Sequence, residues 1–152
     1  MLEQYENLIL RQELRDPRGV QVVFEPFHFF HLVKLRKGYQ TGFLMSEERD
    51  RLLATNQGFG DYEIDLRRAQ TLSWIPDLIR NPHEIYEYDE KRTADEVFIK
   101  EYAKSGSPFK VLLVVREGER LRPVTSLAVR RPGIKEHRRG ALLWPEKENR
   151  PG

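Results

Sequence analysis

One stretch leaves this chain little freedom. Lys110-Val-Leu-Leu-Val-Val-Arg116 sets an unbroken aliphatic run between two cations. Side chains of a strand alternate between faces, so the run is apolar on both sides and suits a central strand covered above and below. Three further stretches read as strands around it, Glu84 to Tyr88, Glu96 to Tyr102 and Leu121 to Arg130. The separators DEKRTAD, AKSGSP and EGER are turn-rich and mostly short. Consecutive strands with short connections predict an antiparallel meander of four strands.

Upstream the texture is helical. Leu2, Tyr5, Leu8 and Ile9 form one stripe of an amphipathic helix that stops before Pro17 and Gly19. Gly38 to Gly42 is a turn, and Ser46 with Glu47 and Glu48 opens a short helix through Leu53. Another helix runs from Asp61 with Ile64, Ala69 and Leu72 inward. Ser73 caps a last one, WIPDLIR, which Asn81-Pro82 ends. The expected fold class is therefore α+β, with N-terminal helices packed on a four-stranded antiparallel β-meander. At 152 residues the chain is read as a single domain over residues 1–130, followed by a basic, largely irregular tail over 131–152.

Composition removes several functions. There is no cysteine, which excludes disulfides, thiolate nucleophiles and Cys-based zinc sites. The four histidines are too few for a His-rich metal centre, and the sequence implies no metal and no cofactor. No apolar run approaches the length of a membrane span, and the N-terminus lacks a secretory pattern, so a cytoplasmic protein with no membrane contact is the expectation. Gly-rich phosphate loops, HExxH and GxSxG are missing, and Gly58 to Gly60 is an isolated Gly-x-Gly. The formal charge is only +2, but RRPGIKEHRR at 130–139 is strongly basic.

The segment FEPFHFFHLVKLRKGY, Phe24 to Tyr39, is where chemistry concentrates. It embeds His28 and His31 in an aromatic run and ends in Lys34, Arg36 and Lys37. Val20 to Phe30 reads first as a strand, with Pro26 marking an edge or irregularity. If it stays extended to Leu35, His31 and Val33 share one face, and His28 and Lys34 the other. If it turns helical after Phe30, His31, Lys34 and Leu35 come together. A histidine exchanges protons near neutral pH, and clustered cations hold phosphate. Lys100 shares a strand face with Phe98 and Tyr102, and Thr125 and Ser126 interrupt the apolar strand PVTSLAV. This inventory fits metal-independent RNA cleavage, in which the 2′-hydroxyl is the nucleophile and the protein moves a proton and stabilises phosphorane charge. Each group also has a plainer use, the histidines in packing, the cations as a solvated edge and the hydroxyls through β-propensity.

In order, FHFFHLVKL, WIPDLIRNPHEIYEY, VFIKEY, FKVLLVVRE and LRPVTSLAV resemble the phage- and toxin-associated nucleases of the barnase, EndoU, colicin E5/D and RelE-like superfamily, over roughly residues 20–130. The resemblance implies helices on a four-stranded antiparallel meander, and a metal-independent ribonuclease, often a toxin, that cuts tRNA or mRNA. It also implies an antitoxin or immunity protein as partner. Carried onto this chain, it puts the proton-transfer group on His31 and the hydroxyl on Thr125, with Ser126 beside it. The cation falls on Lys34 or Lys100. His28, Arg36, Lys37, Arg130 and Arg131 would bind substrate. Two other readings compete: a non-catalytic RNA- or ribosome-binding module, and a protein-interaction domain that uses the meander edge.

Overall fold

The computed structural model describes residues 5–26, 28–33, 36–37, 62–63, 66–88, 93–102 and 109–146. In chain order, a π-helical turn, Glu6–Leu10, leads into strands β1 (Leu14–Arg15) and β2 (Gln21–Val22). Helix α1 (His28–Val33) and strands β3 (Arg36–Lys37) and β4 (Tyr62–Glu63) follow. Helix α2 (Leu66–Gln70), a 3₁₀ turn at Leu72–Trp74 and helix α3 (Ile75–Arg80) come next. Strands β5 (Glu84–Glu87), β6 (Glu96–Glu101), β7 (Phe109–Glu117) and β8 (Arg120–Val129) form the centre. A 3₁₀ segment, Arg131–Arg138, and strand β9 (Leu142–Trp144) complete the described chain.

The architecture differs from the one expected. Among the described residues the main sheet has seven strands in the order β1-β2-β8-β7-β6-β5-β9 and is mixed and curled, with few helices, rather than a four-stranded antiparallel meander under N-terminal helices. Strands β5 to β8 do pair with their sequence neighbours. The additions come from pieces too short to show alternation. β1 and β2 have two residues each, and β2 meets β8 in parallel through Val22 and Leu121, across about two-thirds of the chain. β9 adds to the far side of β5. It gets there by a close approach: a Cβ on Gly140 would fall 1.8 Å from the Glu87 carbonyl oxygen. Gly118, at φ 65°, supplies the left-handed turn of the β7–β8 hairpin.

Other local expectations shift for similar reasons. Of the first helix the described residues hold one π-helical turn, Glu6–Leu10, where Ile9 and the preceding Tyr5 are buried while Leu8 is exposed. The strand expected over Val20 to Phe30 stops at Val22, and the chain is helical from His28. Phe29, Leu32 and Val33, spaced i, i+3, i+4, are all buried, so the helix offers a complete apolar stripe to the core. Residues expected to be irregular after Pro132 form the 3₁₀ segment and β9. The turn and helix read between Gly38 and Leu53 lie outside the described residues.

Two apolar layers sandwich the sheet. The first face carries Ile85, Phe98, Leu112, Val114 and Leu121 and meets the helix layer of Phe29, Leu32, Ile75, Leu78 and Ile79. The second carries Val97, Ile99, Val111 and Leu113, capped by Ala94 and Ile134. β7 feeds both, as its aliphatic run requires. Full burial of each such side chain is worth about 1.5–3 kcal/mol. Among the described residues, no helix is long and apolar enough to cross a membrane.

Candidate functional site

The register of the central strands decides which polar residues share a face. On β6, β7 and β8 the cross-strand row Lys100–Lys110–Ala128 belongs to the helix-covered face, as does the row of Phe98, Leu112 and Ser126. Thr125 pairs with Leu113, which pairs with Val97, and that row belongs to the second face. The pairing slips between Leu113 and Val114, so Val124 is an extra residue on β8 next to Thr125. Such a bulge bends its strand and re-aims the side chains beside it.

Adjacent hydroxyls therefore have different surroundings. Ser126 is fully buried and its Oγ donates to the Val111 carbonyl at 3.0 Å, which satisfies it within the core. Thr125 is only half-buried, and its Oγ1 accepts a hydrogen bond of 3.1 Å from Arg68 Nη1. Arg68 comes from α2, whose neighbour Ala69 packs on the first core. Both α1 and α2 pack against β8 and against each other. The structure thus brings together the helix that bears His31, the helix that bears Arg68 and the strand that bears Thr125.

Sequence reasoning missed Arg68. It sits in the charged stretch LRRAQ, where nothing in the local pattern separates it from an ordinary surface arginine. Its donors lie in a rigid planar fork that matches the oxygens of a phosphate, and its bond to Thr125 polarises that hydroxyl.

Lys100 is occupied elsewhere. Its Nζ is 2.8 Å from Asp77 Oδ2 on α3, and the Tyr102 hydroxyl donates to the same oxygen. Trp74 stacks on Tyr102 with ring centroids 4.6 Å apart. Burial works to raise the Asp77 pKa, but hydrogen bonds from Lys100, Tyr102 and Asn81, with the Lys100 charge, outweigh it and hold the carboxyl below its usual range. Burial, reinforced by the bond to Asp77, pushes the Tyr102 phenol up and keeps it protonated. The cluster is a clasp between α3 and β6, on the opposite face of the sheet from the Thr125 row. Lys110, invisible from sequence as a polar anchor, is fully buried and donates to Thr71 Oγ1 at 2.7 Å.

The remaining candidates divide. His28 is buried at the start of α1, where its Nδ1 accepts the Glu25 N–H at 2.8 Å, so the imidazole helps turn the chain after Pro26. That bond requires the Nε2–H tautomer in the neutral ring. His31 lies on α1, and Arg36 and Lys37 lie on β3, which pairs with β4 through Arg36–Glu63 and Lys37–Tyr62. Lys34, and the side chains of His31, Arg36 and Lys37, lie outside what the structure describes. Arg130 and Arg131 are exposed at the end of β8, and Arg131 forms an ion pair with Glu101. Among the described residues, no group of three or more His, Asp or Glu side chains could hold a metal ion.

Residues 29–145 match the model of a protein family described as phage-Barnase-EndoU-ColicinE5/D-RelE like nuclease2. The chain belongs to this family. It is thereby a nuclease of the barnase–EndoU–colicin–RelE type, as the motif order suggested. No curated protein and no solved structure matches the chain. The match begins inside α1 and ends just beyond β9, so it takes in His31, Arg68, Thr125 and the basic 3₁₀ segment.

Proposed function

We propose that this nuclease is an endoribonuclease that needs no metal, acts as a toxin on tRNA or mRNA in the cytoplasm, and is held in check by an antitoxin or immunity protein. Attack of a 2′-oxygen on the neighbouring phosphorus expels the 5′-oxygen and forms a cyclic phosphate. Such a step requires removal of the 2′-hydroxyl proton, a proton for the leaving oxygen and stabilisation of the charge that builds on the phosphorane. His31 is the general acid or base in this scheme. Thr125 orients the phosphate, and Arg68 takes the charge-stabilising task read from sequence as that of Lys34 or Lys100.

The observation that supports the reading is the Arg68–Thr125 bond where α1, α2 and β8 meet. A hydroxyl and a guanidinium side by side present donors suited to a phosphate, on the strand against which the His31 helix packs. The test is cleavage of total RNA by the purified protein in EDTA. We expect discrete cuts by the wild type and a rate lower by about 10²–10⁴ for His31→Ala, the usual contribution of a positioned acid or base. A wild-type protein that leaves every tRNA and mRNA intact, indistinguishable from His31→Ala, would rule the proposal out.

A further inference from the structure

The segment after β8 holds five cations, Arg130, Arg131, Lys135, Arg138 and Arg139, and one carboxylate, Glu136. The structure gives them two different tasks. Arg131 pairs with Glu101 on β6, and Arg138 pairs with Glu84 on β5 at 2.5 Å while lying over the Phe109 ring at 5.3 Å. Beneath them Ile134 enters the second core, and His137, buried, stacks on Tyr88. Gly133 folds so close to the end of β8 that a Cβ there would come within 3.1 Å of Val129. These contacts fix the 3₁₀ segment at several points, over the sheet face to which the Thr125 row belongs.

Arg130, Lys135 and Arg139 are different. All three are exposed, and none has a carboxylate within ion-pairing distance among the described residues. Three cations on a backbone pinned by its neighbours are pre-positioned, so less ordering entropy is lost when a polyanion arrives. Arg130 directly follows the strand that carries Thr125. At about 3.3 Å per residue the two lie within about 17 Å along the chain, a distance that a few nucleotides of one strand cover. We infer that Arg130, Lys135 and Arg139 form a fixed cationic rail that holds the phosphate backbone of single-stranded RNA flanking the cleavage corner, while Arg131 and Arg138 only hold the rail in place. This rests on the ribonuclease reading for the identity of its ligand.

The experiment uses a short fluorescein-labelled 2′-O-methyl RNA, which lacks the nucleophile and stays uncut. Its affinity is followed by anisotropy between about 50 and 200 mM salt. Neutralising the rail, as Arg130→Gln/Lys135→Gln/Arg139→Gln, should weaken binding and lower the slope of log affinity against log salt by about 2, with melting temperature unchanged. Lys135→Gln alone should lower the slope by about 0.7. Arg131→Gln/Arg138→Gln should lower the melting temperature. Wild-type affinity and slope in the triple variant would overturn the rail. So would an equal loss from Arg11→Gln/Arg15→Gln, exposed cations of the N-terminal region. If the wild type binds this RNA through the rail yet cuts no RNA in EDTA, the rail stands and the ribonuclease reading falls.

Discussion

The two faces of the sheet handle polar side chains in opposite ways. On the helix-covered face Glu96, Lys100, Lys110 and Ser126 all end on partners inside the fold. Glu96 is the extreme case. Only 4% of its side chain is exposed, and it is bracketed by Arg18 at 2.7 Å and Arg116 at 2.5 Å. Arg18 also pairs with Asp16, itself bonded to the Arg18 and Val20 amides, so the β1–β2 turn is clasped to β6 and β7. The Arg18 pKa illustrates the balance: burial acts to lower it, but the bonds to Asp16 and Glu96 raise it overall. Glu96, Lys100 and Lys110 on that face are each tied to a partner within the fold. On the second face the 3₁₀ segment buries Ile134 and His137. At the end of β8 and in the segment that follows, Arg130, Lys135 and Arg139 are exposed instead.

The sharpest attempt to break this contrast is Arg18→Ala. Removing one member of a buried charge set leaves its partners uncompensated, and we expect about 3–5 kcal/mol of lost stability by urea denaturation. The cleavage rate of the remaining folded protein should not change. A variant as stable as wild type would show that the first-face network carries no structural role.

The hydroxyl pair comes next. Thr125→Val should slow RNA cleavage by about 10²–10³, the loss typical of one donor to a developing oxyanion, with little effect on melting. Ser126→Ala should do the reverse, costing about 1 kcal/mol of stability at unchanged rate. Equal behaviour of the two variants would erase the distinction between the faces.

The smallest expected effect belongs to the Asp77 clasp. Its folded pKa is depressed, so its contribution is present above the unfolded carboxyl value of about 3.9 and fades as pH falls through the folded one. Asp77 is partly exposed, which limits the contribution to about 1 kcal/mol. Asp77→Asn should lower stability at neutral pH by that amount and flatten the loss of stability below about pH 4. An unchanged acid limb in the variant would assign that limb to other carboxylates.

What could be read from the amino acids follows from range. The central position of β7 was legible because five aliphatic residues in a row satisfy only a strand buried on both faces. The strands beside it, and the order of motifs that led to the nuclease family, are local too. The seven-stranded mixed sheet was not, because β1, β2 and β9 are two or three residues long, and β2 and β9 pair with strands far away in sequence. Nor was the split between Thr125 and Lys100, which depends on the pairing of Lys100 with Lys110 and Ala128 and of Thr125 with Leu113 and Val97. Alternation names the faces of a single strand, but only pairing says which strand's face joins which.

By itself, then, the sequence determined the family, the central strand and the stock of His, cationic and hydroxyl groups a phosphate chemist would want. Tertiary structure decided their use. It paired Lys100 with Asp77, bonded Ser126 to the Val111 carbonyl, drew Arg68 to Thr125, and paired Arg131 and Arg138 while leaving Arg130, Lys135 and Arg139 exposed. The physical reason is that a charge or hydroxyl acquires its role from the partner that desolvates or satisfies it. In this protein those partners are residues tens of positions away, such as Asp77 for Lys100 and Arg68 for Thr125.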